Sequence, residues 1–302
     1  MNRKAPWVVF DFSWLAYRAL YSMGGLSFDD MPTGVVFGVL EAIRTVCADE
    51  KIRSNKVAIM LDSRRNVRKK QFPEYKSKRS DITEEEKEER KKMYEQMDIL
   101  TEDFLPACGF LLYKQKGMES DDLLAMAAQQ LSKDGQDVVI VTADGDLYQC
   151  ISDNVYWYNP SRNLFYSQES FRKKKGIEAN RWGEMKMVAG CPGDGVPGVP
   201  KVGEKTAIKY LLGTLPKHYK TYQRIISEEG QKIIERNKKL VILPHLDTKK
   251  LEFRIPEYES DVFVDKCKKY GFYSFIDEKR KKNWEMIFGD KLRPEKLRKR
   301  KL

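Results

Sequence analysis

Acidic residues follow the short apolar runs of this chain, and side chains of this type at such positions could carry out chemistry. The runs 7–11 (WVVFD), 56–62 (KVAIMLD) and 137–146 (DVVIVTADGD) are rich in Val and Ile and end on aspartates, and a further acidic group follows FLLY at 110–113. These acids are Asp11, Asp62, Glu119, Asp121, Asp122, Asp144 and Asp146. In an open α/β sheet the ligand lies beyond the carboxyl ends of the strands, so we expect these side chains to converge there.

Such a cluster of acids requires cations, because neighbouring carboxylates repel one another. The chain has only 2 histidines, and oxygen ligands alone suit Mg²⁺ or Mn²⁺. Two such ions about 3.5–4 Å apart are common in enzymes that hydrolyse phosphodiester bonds. Each acid by itself also has a structural interpretation, as a partner of a helix dipole or as part of a turn. Only their convergence favours a nuclease.

Strands and helices that alternate along the chain would position these acids. Short buried runs separated by helical segments are typical of parallel βαβ units. The segment 35–49 has apolar residues at helical spacing, and Ser120 begins an amphipathic helix. The predicted fold class is α/β, with a largely parallel central sheet flanked by helices.

Residues 64–105 differ in composition from the rest of the chain, because charged residues dominate them. A basic segment that reaches Arg79 leads into TEEEKEERKKMYEQMDILTEDFL, which begins with the capping-box pair Thr83 and Glu86. We expect a solvated helix there, and the basic segment before it could bind phosphates. A mobile charged loop is the alternative interpretation of that basic segment.

Composition favours a polyanionic partner and argues against several other classes. The chain has 302 residues, with 56 Lys and Arg against 45 Asp and Glu, and a net charge of +11. Lys and Arg bind nucleic acids by neutralising phosphates. No apolar run is long enough to span a membrane and no signal pattern begins the chain, so we expect a cytoplasmic location without a membrane partner. The 5 cysteines lack C-x-x-C spacing, which argues against a disulfide framework or structural zinc.

Seven short motifs occur in a specific order between residues 7 and 273. They are Asp11 with YRA at 17–19, PTG at 32–34, Asp62, FPEYKSKR at 72–79, GMESDD at 117–122, TADGD at 142–146, and GDGVPGVPKVGEKTA at 193–207. Each motif alone is weak, but together and in this order the chain resembles the 5′ nuclease family. That family includes flap endonucleases, the 5′ nuclease domain of bacterial DNA polymerase I and free-standing bacteriophage 5′ nucleases.

The resemblance implies an architecture as well as a fold. It implies a nuclease core at 1–183 that includes a helical arch at about 64–105. A helix-three-turn-helix (helix-hairpin-helix) module would begin the DNA-binding region at 184–290, which also contains the C-terminal helices. Residues 291–302, which are mostly Lys and Arg, would form a basic tail.

The resemblance also implies roles for individual residues. The first metal site would be Asp11, Asp62, Glu119 and Asp121 with Asp122 close by, and the second Asp144, Asp146 and Asp194. The catalytic group would be Lys76 at the scissile phosphate, Arg79 on the 5′ strand, and Asp121. Tyr75 would stack on a base and Arg18 would lie near the active site. The remaining DNA contacts would be Gly198, Val202, Gly203, Lys205 and Thr206.

The implied activity is a Mg²⁺-dependent, structure-specific 5′ nuclease. It would use two Mg²⁺ ions, with Mn²⁺ as a substitute and K⁺ at the helix-hairpin-helix. We expect a monomer that cleaves branched or nicked DNA or RNA–DNA primers, working with a replication polymerase or a single-strand-binding protein. One alternative is a protein that binds branched DNA but cuts poorly. A second, an aspartate-nucleophile phosphatase, is disfavoured because Ser13 stands where that mechanism needs a second acid.

Four residues depart from the family pattern. Phe12 stands where Gly or Ala usually follows the first Asp, Ser120 replaces Ala, and Gly195 replaces Asn. Cys191 occupies the position of a carboxylate of the second metal site. Because a thiol is a soft ligand that is mostly neutral at pH 7, we predict a second site that binds Mg²⁺ weakly or responds more to Mn²⁺.

Overall fold

A six-stranded sheet forms the centre of the protein. The computed structural model describes residues 5–77, 83–277 and 284–288, so the predicted basic tail at 291–302 and Arg79 lie outside the described residues. The strands are β1 Trp7–Asp11, β2 Ser27–Phe28, β3 Met31–Pro32, β4 Lys56–Leu61, β5 Leu111–Lys114, β6 Val138–Val141, β7 Val155–Asn159, β8 Leu164–Tyr166, β9 Gly190–Cys191 and β10 Val196–Pro197. The sheet order is β5-β4-β1-β6-β7-β8, and only β8 runs antiparallel to its neighbour.

Helices surround this sheet. They are α1 Phe12–Met23, α2 Gly34–Ala48, α3 Val67–Gln71, α4 Glu84–Asp98, α5 Leu105–Ala107, α6 Ser120–Lys133, α7 Gln168–Lys175, α8 Trp182–Ala189, α9 Glu204–Leu211, α10 Lys220–Ile226, α11 Glu228–Val241, α12 Ser260–Lys269 and α13 Tyr273–Ile276. A π-helical turn, Ile99–Phe104, continues α4. The predicted fold class, a largely parallel α/β sheet flanked by helices, is confirmed.

The apolar strands are buried on both faces because each face carries its own layer of helices. Along β1, Val8 and Phe10 enter one hydrophobic cluster, whereas Trp7 and Val9 enter the other, as the two-residue period of a strand requires. The first cluster includes residues of α1, α2 and α12, and the second includes residues of α6, α8 and α9. Such double coverage explains why these strands read as continuous apolar runs.

The region after residue 183 contributes to both faces of the sheet. Trp284 and Phe288 pack in the same cluster as Phe10, while Met185 and Ala207 pack in the cluster on the opposite face. The predicted division at residue 183 stays a prediction, and residues on both sides of it share the two hydrophobic clusters.

Helix α4 begins as the sequence indicates but is not wholly solvated. Thr83 and Glu86 form the predicted capping box, with each side chain accepting the backbone N–H of the other residue. Met93 and Gln96 are nevertheless buried, and Gln96 Oε1 accepts the Val35 N–H at 2.8 Å. The predicted solvated helix is thus exposed over most of its length, and its buried face satisfies a free N–H at the start of α2.

A two-stranded hairpin joins α8 to α9, where the sequence predicts a helix-hairpin-helix. Strands β9 and β10 pair through Val196 with Cys191 and Pro197 with Gly190. Gly190 has φ of 76°, and a Cβ on it would lie 2.3 Å from the Gly198 nitrogen. Glycine is required there because the two backbone strands approach so closely.

Candidate active site

A pocket of about 600 Å³ opens at the carboxyl ends of β1, β4 and β6. The strands, the turn after α3 and the start of α6 bring charged side chains from distant parts of the chain to this pocket. Its charged lining residues are Asp11, Asp62, Lys76, Glu119, Asp121 and Asp144. The acids that the sequence placed at one edge of the sheet are therefore brought together, with the exceptions described below.

Hydroxyl groups orient the first two aspartates. Asp11 accepts the Thr142 hydroxyl at 2.9 Å and the Ser120 hydroxyl at 3.3 Å. Asp62 accepts the Ser13 hydroxyl and, at 2.8 Å, the Ser120 N–H. Sequence reasoning missed these supporting roles, and it treated Ser120 as a mild replacement of alanine. The Ser120 hydroxyl in fact contacts Asp11.

Burial and mutual repulsion disfavour the charged forms of three aspartates in the pocket. Burial, with repulsion from Asp62, raises the pKa of Asp11 to about 7. The pKa of Asp121 is well above its usual value through burial and the charges of Asp144 and Asp11. Burial, with the charge of Asp146, also raises the pKa of Asp144. Buried carboxylate oxygens that lack compensating charge fit hard divalent cations such as Mg²⁺ or Mn²⁺.

Lys76 supplies positive charge to the pocket. Its ammonium lies 2.5 Å from Glu119 Oε1 and 3.9 Å from Asp194 Oδ2. Burial alone would lower the pKa of Lys76, but the charges of Glu119, Tyr75 and Asp194 together outweigh burial and raise it. Its backbone has φ of 53°, and its N–H donates to the Asp194 carbonyl at 2.8 Å. The Lys76 backbone is therefore attached to the hairpin, and its side chain enters the pocket.

Tyr75 has another partner than the sequence predicts, and Asp122, which accepts the Glu119 N–H at 3.2 Å, lies beside the first group of acids. Tyr75 is only 4% exposed and its hydroxyl donates to Glu119 Oε2 at 2.9 Å, so its ring is not free to stack on a base. Both oxygens of Asp122 accept from Arg68, at 2.6 and 2.7 Å. Asp122 also accepts the His245 N–H and is fully buried, so it belongs to an ion pair outside the pocket lining.

A second group of ligand atoms comes from Asp146, Cys191 and Asp194. Their ligand atoms lie within 4.8 Å of one another. Lys186, which the sequence reading missed, forms an ion pair with Asp146 and lies 3.6 Å from the Cys191 sulfur. Burial, together with the Asp146 charge, raises the pKa of the Cys191 thiol to about 11. The thiol therefore contributes no negative charge at neutral pH.

The predicted DNA contacts lie on two surfaces. Arg18 donates to the Ser161 hydroxyl at 2.9 Å and is absent from the pocket lining, whereas Trp14 and Tyr17 of the same helix line the pocket. After the hairpin, Gly203 caps α9, and in this helix Lys205 is exposed and Thr206 is partly exposed. Val202 is 5% exposed and packs in the core, so only its backbone is available for a phosphate contact. Gly198 lies so close to Ala189 that a Cβ would be 2.2 Å from the Ala189 carbonyl carbon.

Comparison with known proteins identifies the family. The family model of the 5′-3′ exonuclease N-terminal resolvase-like domain matches residues 6–176. A 5′-3′ exonuclease of Buchnera aphidicola subsp. Schizaphis graminum is 31% identical over 269 residues, covering 87% of this chain and 90% of that protein. The chain belongs to the 5′-3′ exonuclease family, and the predicted class of enzyme, a nuclease, is confirmed.

Further relatives agree in fold. DNA polymerase I of Mycobacterium bovis is 31% identical over 216 residues, which cover 69% of this chain but only 23% of the polymerase. The bacteriophage T5 flap endonuclease, solved as a complex with DNA and metal ions, has a TM-score of 0.66 and 19% identity, with 93% of this chain and 98% of that chain covered.

No helix in the described ranges is long and apolar enough to cross a membrane.

Proposed function

We propose that this protein is a divalent-metal-dependent, structure-specific 5′ nuclease. It would hydrolyse phosphodiester bonds in flaps, forks, and nicked or primer-containing DNA, leaving 5′-phosphate and 3′-hydroxyl ends. The observation that carries this proposal is the pocket in which buried aspartates, two of them with raised pKa values, lie together with Lys76. The 5′-3′ exonuclease from Buchnera aphidicola, at 31% identity over most of both chains, supports it.

Asp11, Asp62, Glu119 and Asp121 would hold the first Mg²⁺, and Asp144, Asp146 and Asp194 the second. Bound there, the two ions would activate water and stabilise the leaving oxygen. Ser13, Ser120 and Thr142 hold the carboxylates in place through their hydroxyl groups. Lys76 would contact the scissile phosphate, and Arg79, outside the described residues, would help to hold the 5′ strand.

The two metal sites should differ in strength. The second group contains a neutral thiol in place of a carboxylate, and Lys186 already neutralises part of the Asp146 charge. We therefore propose that this site binds Mg²⁺ more weakly than the first and that Mn²⁺, which tolerates softer ligands, supports activity better.

The hairpin between α8 and α9 would bind duplex DNA through phosphate contacts. Close backbone approach at Gly190 and Gly198 leaves little side-chain bulk there, and Lys205 is exposed beside it. Backbone amides can bind phosphates without reading bases, so we expect no sequence specificity. A K⁺ ion held by hairpin carbonyls, RNA–DNA primers as substrates, a monomeric state and cooperation with a polymerase or a single-strand-binding protein are further parts of this proposal.

The test is cleavage of a labelled 5′-flap duplex in Mg²⁺ by the wild type and by Asp62→Asn and Asp121→Asn variants. We expect each substitution to reduce the cleavage rate by more than about 100-fold, since even partners of metal ligands affect activity by 10- to 100-fold. Asp134→Asn, which changes an exposed acid at the end of α6, is the matched control and should cleave normally. An inactive wild type, or variants as active as the control, would contradict the proposal.

A second candidate function follows from the unusual second metal group. A protein that binds branched DNA but cuts it poorly would also carry a weakened cation site such as the one at Cys191 and Lys186. Tight binding of the flap duplex in Ca²⁺ together with negligible turnover in Mg²⁺ and Mn²⁺ would favour this alternative.

A further inference from the structure

A separate cleft of about 490 Å³ lies between α3 and α11, outside the carboxylate pocket. Its lining combines an aromatic ring, an aliphatic side chain and two cations, in Gln71, Phe72, Arg236, Lys239 and Leu240. Of these residues only Phe72 belongs to one of the sequence motifs, and none belongs to the proposed metal sites. Its volume falls within the range of about 300–1,000 Å³ that is usual for small-ligand pockets.

The floor of the cleft is apolar and held in place. Leu240 is 4% exposed and packs with Phe72 in a small cluster that also contains Tyr75 and Val196. The Leu240 carbonyl accepts from the buried Arg68 guanidinium at 2.9 Å. The floor is therefore held by Arg68, and through Tyr75 it is continuous with the packing behind the carboxylate pocket.

The cations lie at the side of this floor. The Arg236 guanidinium carbon is 5.3 Å from the centre of the Phe72 ring, and Arg236 Nη2 donates to the Pro197 carbonyl at 2.6 Å. Lys239, one turn further along α11, is exposed. Arg236 therefore has a defined position, whereas the Lys239 ammonium can adjust to a ligand.

The cleft adjoins both places where the nucleic acid is expected. Phe72 is four residues from Lys76, so their Cα atoms are at most about 14 Å apart even in an extended chain. Through Pro197, Arg236 also contacts the hairpin that we propose as the duplex-binding element. A strand that passes from the hairpin to the carboxylate pocket would come within reach of the cleft.

We propose that this cleft binds one unpaired nucleotide of the substrate, with its base on Phe72 and Leu240 and its phosphate paired with Arg236 and Lys239. The inference rests on the proposed nuclease function and adds a subsite to it. An aromatic face beside cations is the usual way in which proteins bind single-stranded nucleic acid. The base must be unpaired, because a paired base is stacked within the duplex and cannot reach the ring.

The first experiment tests the phosphate contact by salt dependence of binding. The affinity for a 5′-flap duplex is measured by fluorescence anisotropy in Ca²⁺ between 50 and 200 mM salt, for Lys239→Ala and for Lys238→Ala. Lys238→Ala is the control, because it removes an equal charge from a neighbouring exposed residue of α11 that does not line the cleft. We expect Lys239→Ala alone to reduce the slope of log K against log salt by about 0.7, the value for one contact to a single strand. Equal slopes for the two variants would overturn the phosphate contact.

The second experiment tests the base contact by a double-mutant cycle. Abasic nucleotides are placed one at a time along the flap duplex, and binding is measured for wild type, Phe72→Leu and Phe72→Trp. We expect one abasic position in an unpaired part of the substrate to weaken wild-type binding about fivefold or more and to leave Phe72→Leu binding unchanged. Phe72→Trp, which keeps an aromatic face, should retain the sensitivity. Thermal unfolding of each variant checks that its fold is intact.

The outcomes separate this subsite from the nuclease proposal, because binding in Ca²⁺ is measured without cleavage. If the wild type cleaves flaps but no abasic position is coupled to Phe72, the subsite is wrong and the nuclease proposal stands. If coupling is found in a protein that does not cleave, the nuclease proposal is wrong and the subsite stands. Coupling confined to paired positions would overturn the assignment of an unpaired nucleotide.

Discussion

At the scale of single residues, Cys191 and Lys186 distinguish the second group of ligand atoms from the acids that line the pocket. In the first group, the acids that line the pocket, hydroxyl and backbone N–H groups hold the aspartates. In the second group, an ammonium group lies against Asp146 and beside the thiol. Positive charge at that position competes with a cation for the same carboxylate, and the thiol offers no negative charge in return.

The first prediction concerns Cys191→Asp. The added carboxylate should strengthen the second cation site, so we expect half-maximal cleavage at a several-fold lower Mg²⁺ concentration and a smaller advantage of Mn²⁺. The measurement is the cleavage rate of a 5′-flap duplex across titrations of both metals. Cys191→Ser, which adds no charge, is the control. An unchanged Mg²⁺ dependence in Cys191→Asp would contradict the prediction.

The second prediction concerns the buried ion pair of Arg68 and Asp122. Side-chain exposure is 1% for Arg68 and 0% for Asp122, so Arg68→Ala would leave a buried carboxylate without its cation. We expect a loss of about 3–5 kcal/mol in the free energy of unfolding, measured with urea. The double variant Arg68→Met with Asp122→Leu removes both charges and should recover most of that loss. A double variant as unstable as Arg68→Ala would show that packing around Arg68, and not charge, dominates.

Close contact between the segment 74–76 and the hairpin is the main feature at the scale of elements. Gly195 has φ of 71°, and a Cβ on it would lie 2.6 Å from the Glu74 carbonyl oxygen. Next to this contact, the Lys76 N–H donates to the Asp194 carbonyl at 2.8 Å. Glycine at 195, where the family usually has asparagine, therefore permits the backbone approach that positions Lys76.

The third prediction is that Gly195→Ala disturbs this contact. The substitution combines left-handed backbone strain of about 1–2 kcal/mol with a clash against backbone, so both the unfolding free energy and the flap cleavage rate should fall. Gly193→Ala is the matched control in the same turn, because a Cβ there meets nothing within 4 Å. Urea unfolding and the cleavage assay measure the two effects. If Gly195→Ala matches Gly193→Ala in both, the segments do not depend on this contact.

At the scale of the whole molecule, long-range contacts hold α12 against the core. Asp103, which lies before β5, pairs with Lys266 and Lys269 and accepts the Tyr270 hydroxyl at 2.8 Å. These contacts attach α12 to the core. The residues that they join are far apart in sequence, with 163 positions between Asp103 and Lys266. Hydrogen bonding from Lys266 lowers the pKa of Asp103 to about 2.

The fourth prediction is a pH dependence of stability. Because the pKa of Asp103 is lower in the folded state than the ~3.9 of an unfolded chain, its stabilising effect is complete above that value and is lost as the pH falls towards about 2. The difference in unfolding free energy between wild type and Asp103→Asn should be constant from pH 7 to 5 and smaller at pH 3. Asp265→Asn, an exposed acid on α12, should show a smaller difference throughout. A difference that grows on acidification would refute the assignment.

Sequence patterns alone determined the elements of the core and most of the acids of the pocket. Apolar runs predict β1, β4 and β6 because these strands are buried on both faces, and the alternation with helices predicts their parallel arrangement. Strand ends then place Asp11, Asp62 and Asp144 at one edge, since that geometry follows from the topology of any such sheet. The capping box that begins α4 was equally readable, because its two hydrogen bonds are local.

Only the tertiary structure decided which polar groups are engaged with one another. Nothing in a run of Lys and Arg distinguishes Arg68 from its neighbours, yet it alone of the described basic residues 64–76 pairs with Asp122. Similarly, the buried position of Tyr75 and the contact of Lys186 with Asp146 depend on the docking of segments far apart in sequence. Side-chain partners across such distances depend on how whole elements pack, whereas hydrophobic periodicity and helix caps depend only on residues that are close together in sequence.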